Sequence, residues 1–130
     1  MRHIIVHHEE LIGLLFERIT NIFNIPALTF KTMRRSGEKN NKSYVAGYIN
    51  LKTRTIVIDI YTPKTLKPKS LNSLIRTIAH EIAHIQKMPY RQRYKGKWII
   101  RQHYPEFYLQ VDKNIETIKQ DPILGLHFTK

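Results

Sequence analysis

The pentapeptide His80-Glu81-Ile82-Ala83-His84 carries the residue types that metal-assisted hydrolysis needs. On a helix, residues four apart lie on one face, about one turn from each other. Both imidazoles can then reach a single tetrahedral Zn²⁺. Glu81 follows the first histidine and points to the open side of the ion. A carboxylate there can take a proton from a metal-activated water and pass it to a leaving group. Chance gives this H-E-x-x-H pattern with a frequency of only about 0.02 in a chain of this length and composition. The structural alternative is two half-buried histidines bonded to backbone, with Glu81 paired to Arg76 or Arg101. The flanks argue against it. Leu71, Leu74, Ile75, Ile78, Ala79, Ile82, Ala83 and Ile85 make the segment apolar nearly all round, so the helix is buried. Buried imidazoles and a buried carboxylate need partners, and a metal supplies them.

A catalytic zinc site has three protein ligands and a water, so a third ligand must come from elsewhere. The candidates are His103, Glu106, Asp112 and Glu116. His103 is preferred, because a neutral imidazole at a helix entrance is easily aimed at an ion held on a neighbouring helix. Glu106 or Glu116 would make the site His₂Glu. His3, His7 and His8 read as surface residues ahead of the first helix. His127 lies in the tail, which could fold over the ion and make the enzyme latent.

These side chains need a scaffold. Glu9 to Phe23 has helical spacing, with two acids at its favourable N-terminal end. Leu28 to Arg35, Tyr44 to Asn50 and Thr53 to Ile60 read as three strands of an antiparallel meander, the last two joined at Asn50 to Lys52. Ser36 to Lys42 and Thr62 to Lys69 are loops. Ser70 can cap a helix from Leu71 to about Lys87, ended by Met88-Pro89. Tyr90 to Gly96 reads as a polar, basic stretch. Pro105 opens a last helix that Asp121-Pro122 stops near Gln120. The expectation is α+β, in the order αβββαα, as one domain over residues 1–130.

The composition, 42% apolar and 25% charged, is that of an ordinary globular domain and excludes a disordered tail or a collagen-like rod. The absence of cysteine excludes disulfides, Fe–S clusters, Cys-ligated zinc and thiol catalysis. The first residues do not read as a leader, and no window is apolar enough to span a membrane. A cytoplasmic protein is expected (host cytoplasm for a viral one). The formal charge of +12 points to an anionic partner. It is uneven. Residues 82–105 hold Lys87, Arg91, Arg93, Lys95, Lys97 and Arg101 and no acid, and residues 60–80 hold Lys64, Lys67, Lys69 and Arg76 and again none. Tyr90, Tyr94 and Trp98 interleave the first run, the ingredients of a DNA or RNA contact surface. The plainer alternative is a solvated basic loop that Trp98 anchors into the core.

The stretch Thr77 to His84, followed by His103-Tyr104-Pro105-Glu106-Phe107, resembles the SprT-like zinc metalloproteases, which include the Spartan proteases. Ala46-Gly47-Tyr48 and Thr55-Ile56-Val57-Ile58 are similar to the strands ahead of that family's active-site helix. The resemblance covers roughly residues 10–120. It implies a zincin-like fold, one Zn²⁺ per chain on His80, His84 and His103, Glu81 as general base, and peptide hydrolysis, with DNA-linked proteins as a substrate class. A substrate would add as a strand on the sheet edge beside the metal. Tyr90, Tyr94, Tyr104 or Tyr108 could assist at the oxyanion. Tyr104 stands where the family usually has Gly, and the C-terminal extensions of larger members are not in these residues. The fold order is also similar to that of the minigluzincins, whose third ligand is a glutamate and some of which block themselves. The expected activity is thus that of a zinc-dependent endopeptidase. The alternatives are a non-enzymatic nucleic-acid-binding module on the same fold and a metal-dependent hydrolase of some non-peptide bond.

Overall fold

The computed structural model describes residues 2–25, 27–33, 47–61 and 67–128. Its elements are α1 (Arg2–Phe23), β1 (Thr29–Met33), β2 (Gly47–Asn50), β3 (Thr55–Asp59), α2 (Leu71–Gln86), β4 (Tyr90–Tyr94), β5 (Lys97–Arg101), α3 (Pro105–Lys119) and a 3-10 helix (Leu124–Phe128). The class is α+β, as the sequence predicts. Among the described residues no helix is long and apolar enough to cross a membrane.

The three-stranded sheet has the order β1-β3-β2. β2 and β3 are antiparallel, with Gly47 opposite Ile58 and Asn50 opposite Thr55. β1 runs parallel to β3, with Thr29 opposite Thr55. This corrects the expected meander, in which β2 would sit in the centre. The residue pattern explains the order. Ile56, Val57 and Ile58 are buried in succession, which suits a strand covered on both faces with neighbours on both sides. β2 alternates half-buried and exposed residues, which suits an edge. The turn before β3 is set by Asn50, whose Oδ1 accepts from the amides of Lys52 and Thr53 at 3.0 and 3.1 Å. Residues 44–46 of the expected second strand lie outside the described residues.

α2 begins at Ser70, whose hydroxyl accepts from the Ser73 amide at 3.2 Å, as a capping serine should. Leu74, Ile75, Ile78, Ala79 and Ile82 enter a core shared with α1, the sheet and α3. α1 starts at Arg2, not at Glu9. The apolar stripe of Ile12, Phe16 and Ile19 continues one turn back to His8, which is buried rather than on the surface. The His8 Nε2 lies 3.0 Å from the Ile60 carbonyl oxygen.

Residues 90–101 hold a structure the sequence reading missed. Tyr90–Tyr94 and Lys97–Arg101 form an antiparallel hairpin, not an irregular basic stretch. Lys95 and Gly96 both have positive φ, 49° and 78°. Two such residues in a two-residue loop match the twist of a hairpin. Its sheet is separate from the central one.

α3 ends at Gln120, whose amide donates to the Ile118 and Thr117 carbonyls, and Asp121 opens the turn into the 3-10 helix. The Asp121 Oδ2 accepts from the amides of Ile123 and Leu124 and from the Arg18 Nε at 2.7 Å, joining the chain's end to α1. The hydrogen-bonded Arg18 holds the Asp121 carboxyl below its usual range. A depressed carboxyl stabilises the fold above its unfolded value, and the contribution fades as pH falls through the native one. Asp121→Asn should therefore lower the melting temperature by about 3 °C at neutral pH. The gap to wild type should close toward about pH 2 in a thermal-melt series.

Candidate metal centre

His80 and His84 project from one face of α2, and His103 meets them from the chain between β5 and α3. Their ring centroids are 5.1 Å (His80–His84), 5.3 Å (His80–His103) and 4.8 Å (His84–His103) apart. One donor nitrogen from each lies within 4.8 Å of the others. Donors of a tetrahedral zinc ion, at about 2.0–2.1 Å, stand about 3.3 Å apart, so small ring rotations would close the set. Three imidazoles without thiolate or carboxylate are a donor set that suits Zn²⁺.

Phe107 is the floor of this cluster. It is 0% exposed, and its ring centroid lies 5.0, 4.4 and 5.1 Å from those of His80, His84 and His103. The imidazoles thus rest on an apolar plate supplied by the first turns of α3. His84 is buried, His80 half-buried and His103 exposed, so the cluster opens on the His103 side.

Burial also sets the charge states. It lowers the His84 pKa to about 4, with His80 and His103 adding to the effect. It lowers that of His80 as well, helped by His103. Both rings are therefore neutral near pH 7, the form that binds metal. The same burial raises Glu81 to about 7, into the range of a general base working near neutrality.

Other residues keep α2 and its partners in place. Asn114, buried on α3, donates to the Ala79 carbonyl at 3.1 Å and to Gln86 Oε1 at 2.7 Å, while Gln110 donates to it at 3.0 Å. This clamp beside His80 was not foreseen. Its only trace in the sequence is a polar residue at the helical spacing of Val111, Ile115 and Ile118. Gly47 lets β2 settle on α2, since a Cβ there would meet Ile58 Cδ1 at 2.7 Å and Thr77 Cγ2 at 3.1 Å. A cavity of about 630 Å³ then opens between Tyr48 and Asn50 on the β2 edge and His80, Glu81, His84 and His103.

The other candidates stand apart. Glu106, Asp112 and Glu116 are exposed on α3 and do not join the histidine group. Glu116 pairs with Lys119 at 3.2 Å. His127 is outside the group too, its carbonyl accepting from Asn72 Nδ2 at 2.9 Å. Tyr104 has φ −127° and ψ 167°, extended backbone that needs no glycine. Its hydroxyl donates to the Met88 carbonyl at 3.0 Å, and its ring meets Tyr90 edge-on at 5.0 Å. Tyr94 lies on the hairpin, where Lys95 Nζ stands 5.4 Å from its ring. Of the four expected tyrosines, Tyr108 stacks beside His103 at 6.1 Å. Tyr48, outside those four, lines the cavity itself.

The hairpin next to the cluster is studded with cations. The pairing of Arg91 with Ile100 and Arg93 with Trp98 puts these four on one face. The guanidinium groups of Arg91 and Arg93 lie 4.7 and 5.3 Å from the Trp98 ring. Trp98 is 57% exposed, so it does not anchor the segment in the core. Among the described residues the ion pairs are Arg18–Asp121 and Lys119–Glu116, and neither involves the hairpin.

No protein-family model, curated protein or solved structure matches the chain. The site is therefore read from its own geometry. Stoichiometric zinc uptake, measured by elemental analysis after dialysis, should be lost in His80→Ala, His84→Ala and His103→Ala. It should be retained in Glu106→Gln and Glu116→Gln.

Proposed function

We propose that the chain is a zinc-dependent metallopeptidase that hydrolyses peptide bonds, with Glu81 as general base. The observation that carries this reading is the convergence of three imidazoles beside a buried carboxylate, in a cavity bordered by the edge of a sheet. His80, His84 and His103 would hold the ion. When bound, zinc supplies Lewis acidity, which polarises a carbonyl and acidifies water. Glu81 accepts the proton of the attacking water and delivers it to the departing amide nitrogen. The edge of β2 offers backbone N–H and C=O groups with which an extended peptide can pair as an added strand. Tyr48, on that edge, can reach a substrate lying in the cavity.

The variant Glu81→Gln separates binding from chemistry. It should keep one zinc per chain and lose at least about 100-fold in turnover of an unfolded protein substrate. Undiminished turnover would remove Glu81 from the mechanism.

The hairpin favours substrates held on nucleic acid. Arg91, Arg93, Lys95 and Lys97 lie on the exposed hairpin without an acidic partner among the described residues, and Lys87 and Arg101 stand at its base, where Pro89 and Gln102 border the cavity. Phosphates attract such cations through counterion release. The same hairpin supports the second reading, a nucleic-acid-binding module without catalysis, which predicts no proteolysis in any metal form. Under either reading, single-stranded DNA should bind with a steep salt dependence. The slope of log K against log salt should flatten by about 0.7 for each hairpin cation that contacts a phosphate and is changed to Gln. A slope unchanged in Arg91→Gln/Arg93→Gln would exclude the hairpin as the contact.

A further inference from the structure

A second cavity, of about 510 Å³, is also lined by Glu81. It runs from Asn72 and Arg76 past Thr77 and shares Gly47, His80 and Glu81 with the first. The two adjoin at these three residues, and together they are taken as two halves of a groove beside the histidine cluster. Glu81 is the only acid among the residues lining the second half, and Arg76 is its only cation.

Arg76 is held rather than free to wander. Its Nε donates to Asn72 Oδ1 at 2.9 Å. Asn72 is itself fixed, its Nδ2 donating to the His127 carbonyl at 2.9 Å. The ring of Phe128 packs against the guanidinium at 5.1 Å. The C-terminal 3-10 helix thus braces the arginine from behind. These contacts use one of its five N–H donors, and no acid pairs with it among the described residues. A guanidinium oriented this way, with its remaining donors unspent, suits a carboxylate better than any neutral group.

We infer that the Arg76 half of the groove is a subsite for a carboxylate of the substrate, borne either by an Asp or Glu side chain or by the peptide's own C-terminus. This rests on the peptidase reading above and specifies which peptides that site selects. Arg76 is the specificity-determining residue, and the braced Asn72–Arg76 pair gives the subsite its geometry. Because Arg76 is exposed, salt screens the preference and its size is modest.

The test uses fluorescein-labelled peptides that differ at one scanned position as Glu, Gln or Lys, each with a free or an amidated C-terminus. Binding is read by anisotropy on the zinc-loaded Glu81→Gln variant, so no turnover is needed. At low salt a carboxylate at the matching position should tighten binding about tenfold over its amide, with Lys weakest. Arg76→Ala in the same background should bring that ratio to about one, and Arg76→Glu should turn it in favour of Lys. A preference that follows the free terminus assigns the carboxylate to the chain end, and one that follows the scanned Glu assigns it to the side chain. The inference is overturned if no peptide binds, if Glu, Gln and Lys peptides bind alike with both kinds of terminus, or if the preference survives Arg76→Ala. Cleavage by the zinc-loaded wild type is measured separately. Absent turnover with an intact Arg76-dependent preference sinks the peptidase reading and leaves the carboxylate subsite standing.

Discussion

Desolvation around the polar triplet of α2 is the constraint on which the rest of the molecule turns. One burial penalty acts on two kinds of group in opposite senses. It disfavours the charged form of each, so the imidazoles lose affinity for protons and the carboxylate gains it. Near neutrality this leaves vacant nitrogen lone pairs next to a carboxyl balanced between its two forms. Neither state is comfortable in an apolar surround without a cation to share it. The apolar packing of α2 that stabilises the fold is thus the same packing that readies the site. Phe107 shows the economy of the arrangement, since one fully buried ring both fills the α2–α3 interface and backs all three histidines.

Much of this was legible in the residues, and the failures have physical causes. α2 and α3 were readable because helical periodicity, a serine cap and an N1 proline are local signals. The histidine cluster was readable because i, i+4 spacing puts two imidazoles on one helix face and the third stood at a helix entrance. Strand order was not, since the parallel partnership of β1 and β3 depends on contacts between distant segments. Only the unbroken apolar run of β3 hinted that it was central. The hairpin escaped for a different reason. It has no core-facing side, so neither strand shows the alternation that marks a half-buried one, and its turn uses Lys95 where an asparagine or aspartate would have been the usual signal. His8 and Asn114 escaped because polar residues at core-facing helical positions look like interruptions, although each is buried and bonded.

The edge position of β2 ties the sheet to the site. A strand in the middle of a sheet has both rows of backbone groups engaged, whereas β2 pairs with β3 alone among the described residues and borders the cavity. Gly47 matters because it brings this strand close to α2. The order β1-β3-β2, which contradicts the simple meander, is therefore also the order that puts the β2 edge beside the cavity.

The joint between Tyr104 and Met88 has a wider consequence. Its hydroxyl-to-carbonyl bond pins together the two points where the chain leaves for the hairpin and comes back from it. His84 lies before this pin and His103 just before its returning side, so the bond sits at the neck that joins the two candidate ligands. The excursion from Tyr90 to Arg101 forms its own sheet beyond that neck, so a change of length or charge at its tip falls outside the contacts that hold the three histidines together.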